Sequence, residues 1–385
     1  MGLAAKYYLA LLFPLFSVFA SFAIFTFSKE NGVLDLLEGF GKQKTLPSAS
    51  GSEALKTSYT GIEAIDEILT VLTLFFAPVV DGSNASLALH SFAFSGAFGS
   101  AWILAVLESW RAGSSRKFVS FPSIFGIVAQ VMTYAVSAPL FLGLQLLFSD
   151  VSLQPTARNI AIPTAVVKAI PAVFIVAYIL PTYSMLLPAP GIVTFEQKQT
   201  LIALWQLWPA YVSFLLTLVS ILFSSTSSAT PSQLRKSLRA TYTFALSYAA
   251  ISHVAAWSIS LATIATPMIF STEYLHSLHP SQVFGLRNPF TSADFKVDSA
   301  SEGVHIFLQW DNIIGSLAVL LWAVIANVSA HRKTEGQVGW LCLLFQISTS
   351  LALTGPIGTA VRLVWERDEL VFEEEDLKNA ARKGV

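Results

Sequence analysis

Residues 304–330 read VHIFLQWDNIIGSLAVLLWAVIANVSA, and this stretch decides the fold class. A helix that crosses the hydrocarbon core of a bilayer needs about 20 mostly apolar residues. Inside lipid the backbone must also satisfy its own hydrogen bonds, which favours a continuous helix. The stretch is long and apolar enough, so we predict that it is a membrane-spanning α-helix that carries the carboxyl group of Asp311 inside the membrane.

The rest of the chain repeats this pattern. Hydrophobic residues make up 54% of the sequence and charged residues 12%, against about 25% charged in a typical soluble domain. Eight further apolar runs lie at 7–28, 62–81, 86–110, 119–148, 162–186, 198–224, 238–270 and 338–362. The second is the weakest, because it contains Asp66, Glu67 and Pro78, so it either spans, re-enters or lies in the interface. The sequence therefore predicts an all-α, polytopic integral membrane helix bundle with eight or nine transmembrane helices.

Polar segments divide the chain into three parts. Residues 1–61 are predicted to form an N-terminal anchor helix, not cleaved as a signal peptide, and a polar loop. Residues 62–362 are predicted to form the membrane-embedded bundle with the functional core, and residues 363–385 a charged, solvated tail. The polar connections 29–61 and 271–303 are long enough to act as lids over a site. A disordered surface loop is an equal alternative for 29–61.

Charge and motifs narrow the class of protein. The net charge of −1 gives no electrostatic reason to expect nucleic acid as a partner. The apolar runs instead predict the lipid bilayer as the partner. Cys342 is the one cysteine, which excludes an intrachain disulfide and a cysteine-rich metal site. The sequence contains no Walker A loop, no HExxH and no aspartate-rich magnesium motif. We therefore predict neither a metal nor a cofactor.

Basic residues near helix ends indicate orientation. The clusters Arg235–Arg239 and His331–Lys333 are separated by two predicted helices, so they share one membrane face, predicted to be cytosolic. The same count places Arg111–Lys117 on the opposite face. The expected orientation therefore contains one exception.

Helix alternation also predicts which polar side chains share a membrane face. One face gathers Glu108, Tyr183, Trp205, Asp311 and Arg362, whereas Asp81 and His90 lie on the other. Ionisable side chains inside a membrane are costly and face the bundle interior or a water-filled cavity. The candidate functional residues are therefore Asp311, Glu108, Asp81 and His90.

Two of these residues have a structural alternative. Glu108 is also placed to pair with Arg111, three residues on, at the water surface. Asp81 precedes a turn-forming sequence and is equally compatible with a turn or cap. Asp311 is the hardest to explain structurally, because polar and aromatic residues fill 309–312 ahead of an apolar span.

Aromatic residues are dense in and near the predicted spans. Many are expected to form the belts found at membrane surfaces. Others are expected to line a pocket, where aromatic faces stabilise cations at short range. The candidate binding residues are Trp310, Trp205, Tyr183, Asn312 and Trp257.

Several segments between about residue 62 and residue 330 together carry a family resemblance. They are Pro78–Gly82, Leu87–Phe92, Phe94–Gly96, Trp102–Arg111, Leu180–Pro181, Leu187–Pro188, Gln197–Gln199, Ala203–Pro209, Gln309–Asn312, Gly315–Ser316 and Leu321–Ala323. Together they resemble fungal membrane proteins of meroterpenoid and indole-diterpenoid pathways. In length and layout the chain is most similar to the membrane-bound terpene cyclases of the ascofuranone type.

The resemblance implies a metal-free terpene cyclase acting on an epoxidised prenyl chain joined to an aromatic core. The resemblance also implies three kinds of partner: this hydrophobic substrate, the lipid bilayer and other membrane enzymes of the pathway. The expected location is the endoplasmic reticulum. Shorter fungal membrane cyclases use an embedded Glu and Asp pair. This chain does not clearly carry their motifs, so their residue roles transfer only by analogy.

The candidate residues suit this chemistry. Opening an epoxide requires a proton at its oxygen, and a carboxylic acid held in an apolar site stays protonated at neutral pH. Asp311 and Glu108 are predicted as the acid and the base, in no assigned order, with Asp81 and His90 as the reserve pair. The alternatives are a transporter of a small hydrophobic molecule, with the carboxylates as a proton relay, and a non-catalytic membrane scaffold.

Overall fold

The computed structural model describes residues 3–48, 51–152, 154–223, 231–290 and 295–383. The helices are α1 (Leu3–Ala20), α2 (Phe27–Glu30), α3 (Val33–Gln43), α4 (Glu63–Val80), α5 (Ala85–Trp110), α6 (Pro122–Met132), α7 (Tyr134–Phe148), α8 (Thr164–Phe174), α9 (Leu180–Ser184), α10 (Phe195–Trp205), α11 (Trp208–Phe223), α12 (Pro231–Ala265), α13 (Thr272–Ser277), α14 (Pro280–Val283), α15 (Ala300–Thr334) and α16 (Trp340–Lys383). π-helical turns join α1 to α2 and α8 to α9. Strands β1 (Thr45–Ser48) and β2 (Gly51–Ala54) pair antiparallel, with Thr45 opposite Ala54.

The predicted all-α class is confirmed for the part of the chain that the structure describes. Six helices there are long and apolar enough to cross a membrane: Tyr7–Glu30, Ala85–Trp110, Thr164–Ser184, Pro231–Ala265, Ala300–Thr334 and Trp340–Arg382. The pair α10 and α11, bent by 57°, makes a seventh if it is one span. The predicted runs 62–81 and 119–148 are not among these, so the structure supports six or seven spans where the sequence predicted eight or nine.

The run 62–81 begins with a capping arrangement. The carboxylate of Asp66 in α4 accepts hydrogen bonds from the Thr60 backbone N–H at 2.7 Å, the Thr60 hydroxyl at 2.9 Å and the Gly61 N–H at 3.1 Å. The Thr60 backbone bond is the main cause that lowers the pKa of Asp66 to about 2. An ionised group at this end of α4 accounts for the weakness of the run as a span.

The run 119–148 is a helical hairpin. Thr133, with φ 72° and ψ 157°, separates α6 from α7, and the Phe125 and Phe141 rings pack across the turn at 5.0 Å. The two ends of the run also lie together, because Lys117 Nζ contacts Asp150 Oδ2 at 2.7 Å. The run therefore enters the bundle and returns to the end from which it came.

This hairpin overturns the prediction that Glu108 and Asp311 share a membrane face. The His90 and His305 rings lie 5.4 Å apart near the starts of α5 and α15. Further along, Trp322 of α15 and Glu108 of α5 both bond to the Gln145 side chain. The two helices therefore run in the same direction, and Asp311 lies about 16 Å along α15 from Trp322. The alternation count was wrong because it included a crossing that 119–148 does not make.

Arg362 is also further from Asp311 than predicted. Asn327 Nδ2 donates to the carbonyl of the next residue, Leu363, at 3.1 Å. Asn327 follows Trp322 on α15. Arg362 therefore lies beside the second half of α15, away from Asp311.

The basic connections gather at one end of the bundle, which we call the basic end. Arg111 pairs with Asp368, the neighbouring Glu369 pairs with Arg235, and Lys333 Nζ donates to the Pro155 carbonyl in the α7–α8 connection. That connection also holds Asp150, the partner of Lys117. Since the hairpin returns to this end, Arg111–Lys117 no longer contradict the orientation rule.

The segment predicted as a solvated tail belongs in part to the bundle. Helix α16 is broken at Gly355, which has φ 70° and ψ −179°, and its second part continues to Lys383. Arg367, Asp368, Val371 and Phe372 of this second part are buried. Its charges looked solvated in the sequence because their partners lie far away along the chain. Buried side chains therefore continue to Phe372, about ten residues beyond 362.

The connection 29–61 is ordered over its described residues and packs on the end opposite the basic end. Gln199 of α10 donates to the Ala54 carbonyl at 2.9 Å and accepts from Lys56 N at 2.7 Å. Leu46 of β1 is buried against Leu74 of α4. The lid alternative therefore fits the described part of this connection better than a disordered loop does.

Four buried charges hold α5 and α16 together. Glu108 Oε1 accepts from Arg111 Nε and from Arg367 Nη2, both at 2.7 Å, and Gln145 donates to Oε2 at 2.9 Å. Asp368 accepts from both arginines, and from the Tyr242 hydroxyl at 2.7 Å. All four charged side chains are at most 2% exposed. We call this set the ion network.

Removing one charge from the ion network should destabilise the fold. Arg367→Met leaves Glu108 and Asp368 with one cationic partner, and a broken buried pair costs about 3–5 kcal/mol. We expect a clear drop in the unfolding temperature of the detergent-solubilised protein. Arg239→Met is the matched control, because Arg239 is 52% exposed and pairs with Glu369 at the surface. A similar Tm for both variants would contradict this role.

The hairpin predicts the sidedness of cysteine labelling. In a Cys342→Ser background, cysteines at Lys117 and Asp150 should react with a membrane-impermeant maleimide from the same side of sealed microsomes, because both lie at the basic end. Arg239→Cys marks that side, and Glu273→Cys in α13 marks the opposite side. Labelling of positions 117 and 150 from opposite sides would show instead that 119–148 crosses the membrane.

Candidate functional site

A cavity of about 550 Å³ lies in the half of the bundle away from the basic end. Helices α4, α5, α6, α10 and α15 form its walls, with the first residue of α7, and α9 and the segment that follows it. Its polar and aromatic lining side chains are Phe76, Asp81, Ser91, Phe92, Phe94, Ser95, Phe98, Gln130, Tyr134, Tyr178, Thr182, Tyr183, Phe195, Lys198, Gln199, Trp205 and Asp311. The remaining lining is aliphatic, so the cavity is suited to an apolar molecule with few polar groups.

The inner end of the cavity is a cluster of aromatic rings. The Tyr134 ring lies 5.1 Å from Phe98 and 6.0 Å from Phe94, and Phe98 lies 6.4 Å from Tyr178. All four side chains are less than 10% exposed. Positive charge that develops here therefore meets aromatic faces.

Asp311 lies at this inner end and is 6% exposed. Its Oδ1 accepts a hydrogen bond from the Ala135 N–H at 2.6 Å. Within the described chain, no lysine or arginine forms an ion pair with it. Its environment therefore differs fully from that of Glu108, whose two oxygens accept from two arginines and a glutamine.

The broken run 119–148 supplies the partner of Asp311. The first N–H groups of a helix have no acceptor within that helix, and α7 begins at Tyr134, one residue before Ala135. Asp311 therefore caps α7 from another helix. Thr133 has a positive φ although it is β-branched, which is a strained conformation. Neither Thr133 nor Tyr134 is a typical helix breaker, so nothing in the sequence marks this break.

Two polar groups of the cavity wall are buried without a partner among the residues that the structure describes. They are the hydroxyls of Tyr134 and Ser91. Ser316 lies near Tyr134, but its hydroxyl donates to Asn312 Oδ1 at 3.1 Å. Buried polar groups are rarely left unpaired in native structures. The two hydroxyls are therefore candidates to contact a bound molecule, and the sequence alone singled out neither.

The mouth of the cavity carries the other polar residues. Asp81 Oδ1 accepts from the Ser83 N–H at 2.8 Å and its hydroxyl at 2.7 Å, which is the turn given above as its structural alternative. Asp81 nevertheless lines the cavity that Asp311 lines, and so it does not lie apart from Asp311 as predicted. Lys198 of α10 also lies here, and the buried Gln199 lines the cavity beside it. Sequence reasoning missed both.

The predicted binding residues are divided by the structure. Tyr183 and Trp205 line the cavity, and Trp205 Nε1 donates to Thr182 Oγ1 at 2.8 Å. Trp257, Trp310 and Asn312 do not line it. Trp257 stacks on Phe284 at 4.3 Å, Trp310 donates to the Arg287 carbonyl, and Asn312 accepts from Ser316.

His90 lies one layer behind the cavity wall. It is 3% exposed, and its ring packs beside Phe94, His305 and Phe284. Neither ring nitrogen forms a hydrogen bond of good geometry within the described ranges. His90 therefore has no direct access to a molecule in the cavity.

The carboxyl group and aromatic rings at the inner end of the cavity are suited to proton transfer. Among the described residues no three His, Cys, Asp or Glu side chains come together as metal ligands. A carboxyl group without a cationic partner, enclosed by aromatic rings, can give a proton to an oxygen atom and leave the resulting positive charge in contact with those rings.

Comparison with known proteins assigns almost the whole chain to one group. Residues 9–372 match the CtvD domain family. The chain is 33% identical to the terpene cyclase ascI of Acremonium egyptiacum, over 99% of this chain and 97% of that protein. It is 31% identical to the terpene cyclase ctvD of Aspergillus terreus, over 96% and 100%, and 26% identical to the terpene cyclase atmA of Aspergillus flavus, over 88% and 90%. No solved structure matches the chain.

The capping role of Asp311 predicts how two substitutions differ in stability. Asp311→Asn keeps an oxygen that accepts from the Ala135 N–H, whereas Asp311→Leu removes it. Loss of a helix cap costs about 0.5–2 kcal/mol. We therefore expect a lower unfolding temperature in detergent for Asp311→Leu than for Asp311→Asn, which should stay near the wild type. Equal losses in both variants would refute the capping role.

Proposed function

Because this chain belongs to the CtvD-domain family of fungal terpene cyclases, we propose that it opens an epoxide on a prenyl chain joined to an aromatic core and closes a ring from it. The single observation that carries this proposal is Asp311, an acid with no cationic partner in the described chain at the aromatic inner end of an apolar cavity. The reaction is an isomerisation within fungal secondary metabolism, and it requires neither a metal nor a redox cofactor.

The cavity supports a substrate of this kind. Small-molecule sites have volumes of about 300–1,000 Å³ and mainly apolar linings, and this cavity falls in that range. A prenylated aromatic partitions into the bilayer. Two lining residues, Tyr183 and Leu186, are 43% and 49% exposed, which supports entry of the substrate from lipid beside α9.

Asp311 is the proposed general acid. In its protonated form, the carboxyl group accepts from Ala135 N–H through one oxygen and donates its proton to the epoxide oxygen from the other. The epoxide C–O bond breaks, and its electron pair stays on the oxygen, which becomes a hydroxyl. The positive charge left on carbon is stabilised by the rings of Phe94, Phe98 and Tyr134 until an alkene or a hydroxyl of the substrate attacks it.

Asp81 is the proposed base that takes the final proton. The predicted partner, Glu108, is not included, because the ion network occupies both of its oxygens and it does not line the cavity. The reserve pair of Asp81 and His90 is reduced to Asp81, since His90 lies behind the wall. Asp311 gives one proton to the epoxide oxygen, and Asp81 takes one proton from the cyclised cation. The product therefore keeps the mass of the substrate.

The setting of the reaction is proposed from the same residues. The basic end faces the cytosol according to the distribution of lysine and arginine, and the cavity then lies in the other half of the membrane. We place the protein in the endoplasmic reticulum beside other membrane enzymes of its pathway. If α4 also crosses the membrane, the six or seven spans become seven or eight, whereas the hairpin 119–148 adds no crossing.

A microsome assay tests the function. Yeast microsomes that contain the protein receive a 10,11-epoxyfarnesyl aromatic, and the products are separated by mass-resolved chromatography. We expect an isomer of unchanged mass and altered retention. Asp311→Asn should lower the turnover at least about 100-fold, because that is the smallest usual contribution of general acid catalysis.

The matched control is Asp298→Asn, which removes an exposed acid just before the same helix. It should leave turnover at the wild-type level. Unchanged turnover in Asp311→Asn would move the acid elsewhere in the cavity. No isomer from several epoxidised substrates would favour transport or scaffolding over cyclisation.

A further inference from the structure

Lys198 is the one cationic side chain among the lining residues of the cavity, all of which the structure describes. It lies on the first turns of α10 and is partly exposed at the mouth. Its ammonium group donates to the Val80 carbonyl at 2.7 Å and the Leu187 carbonyl at 3.2 Å. A lysine ammonium carries three donors, so one donor remains after these two bonds.

The surroundings of Lys198 differ from those of three buried or partly buried arginines. Arg111, Arg235 and Arg367 each contact a carboxylate within 4.0 Å. No carboxylate in the described chain comes that close to Lys198, although Asp81 lies near enough to attract it. A lysine held at a cavity mouth by two neutral carbonyls is costly to keep out of bulk water, and a bound oxygen acceptor would offset that cost.

The two ends of the cavity are also chemically unlike. The inner end combines Asp311 with aromatic rings, whereas the mouth combines Lys198 with Asp81 and includes the exposed residues Pro188 and Pro190. A molecule with a polar head and an apolar tail matches this gradient in one direction only. The reverse direction would bury the polar head among phenyl rings and leave the tail at the polar rim.

We propose that Lys198 binds an oxygen acceptor on the aromatic head group of the substrate, so that the prenyl tail enters first and its far end reaches Asp311. This inference rests on the proposed function and adds to it the orientation of the substrate and the chemistry of its head group. An aromatic head with a phenolic or carbonyl oxygen is the class of substrate that this mouth selects.

Lys198 also has a structural role, because its two hydrogen bonds join the end of α4 to the segment after α9. A loss of affinity in a Lys198 variant would therefore not by itself establish head-group binding. The test must use two ligands that share a tail and differ only in the oxygens of the head. A structural role affects both ligands equally, whereas a direct contact affects only the oxygenated one.

The experiment measures dissociation constants of 10,11-epoxyfarnesyl hydroquinone and 10,11-epoxyfarnesyl benzene. The shift in unfolding temperature of the full-length protein in detergent, titrated with each ligand, gives these constants without any need for turnover. The variants are Lys198→Met and, as the matched control, Lys168→Met, since Lys168 is an exposed lysine of α8 outside the cavity lining.

We expect the wild type and Lys168→Met to bind the hydroquinone at least about ten-fold more tightly than the benzene, as a hydrogen bond to a charged group provides. Lys198→Met should bind both ligands with similar, weak affinity. Equal binding of the two ligands by the wild type, a preference that survives in Lys198→Met, or no binding of either ligand would overturn the inference. A wild-type preference without any isomer in the microsome assay would refute cyclisation and leave head-group recognition standing.

Discussion

An ionised side chain inside a membrane must find a partner of opposite charge or strong hydrogen-bond donors, and this requirement arranges the bundle. Glu108 and Asp368 meet it with Arg111 and Arg367, fully buried where α5 and α16 meet. The four charges sum to zero, and each one is hydrogen-bonded to another member of the set. Because α7 also reaches the set through Gln145, the ion network fixes the depth of three helices relative to one another.

That fixed depth determines the position of the half of the bundle that contains the cavity. Helix α7 starts from Thr133 in the middle of the bundle, and the contact of Gln145 with Glu108 sets how deep its first residues lie. Those first residues hold Asp311 through the Ala135 N–H. One acidic residue is thus saturated by charge and serves the scaffold, whereas the other is held by neutral groups at the start of α7, of which the Ala135 N–H is the shortest contact. The difference in partners, and not the residue type, separates a structural acid from a candidate catalytic one.

The fold class and part of the site could be predicted from local sequence. Apolar runs gave the helices, and the cost of an embedded carboxyl group pointed to Asp311. Tyr183 and Trp205 were expected near it, and they line the same cavity. The remaining features depend on contacts between distant residues. Arg367 meets Glu108 across 259 positions, so the charged tail gave no sign that it enters the bundle. The turn at Thr133 lacks glycine or proline, so helix counting added a crossing and placed Glu108 beside Asp311.

The hydrogen bond between Asp311 and Ala135 also bears on how proteins of this architecture can diverge. A relative without a carboxylate at position 311 would need another acceptor for the first turn of α7, or lose a contact that holds the hairpin at the inner wall. Ser91, Ala129 and Ile202, for example, line the cavity but do not cap a helix. The fold therefore constrains change at these wall positions less than it constrains change at position 311.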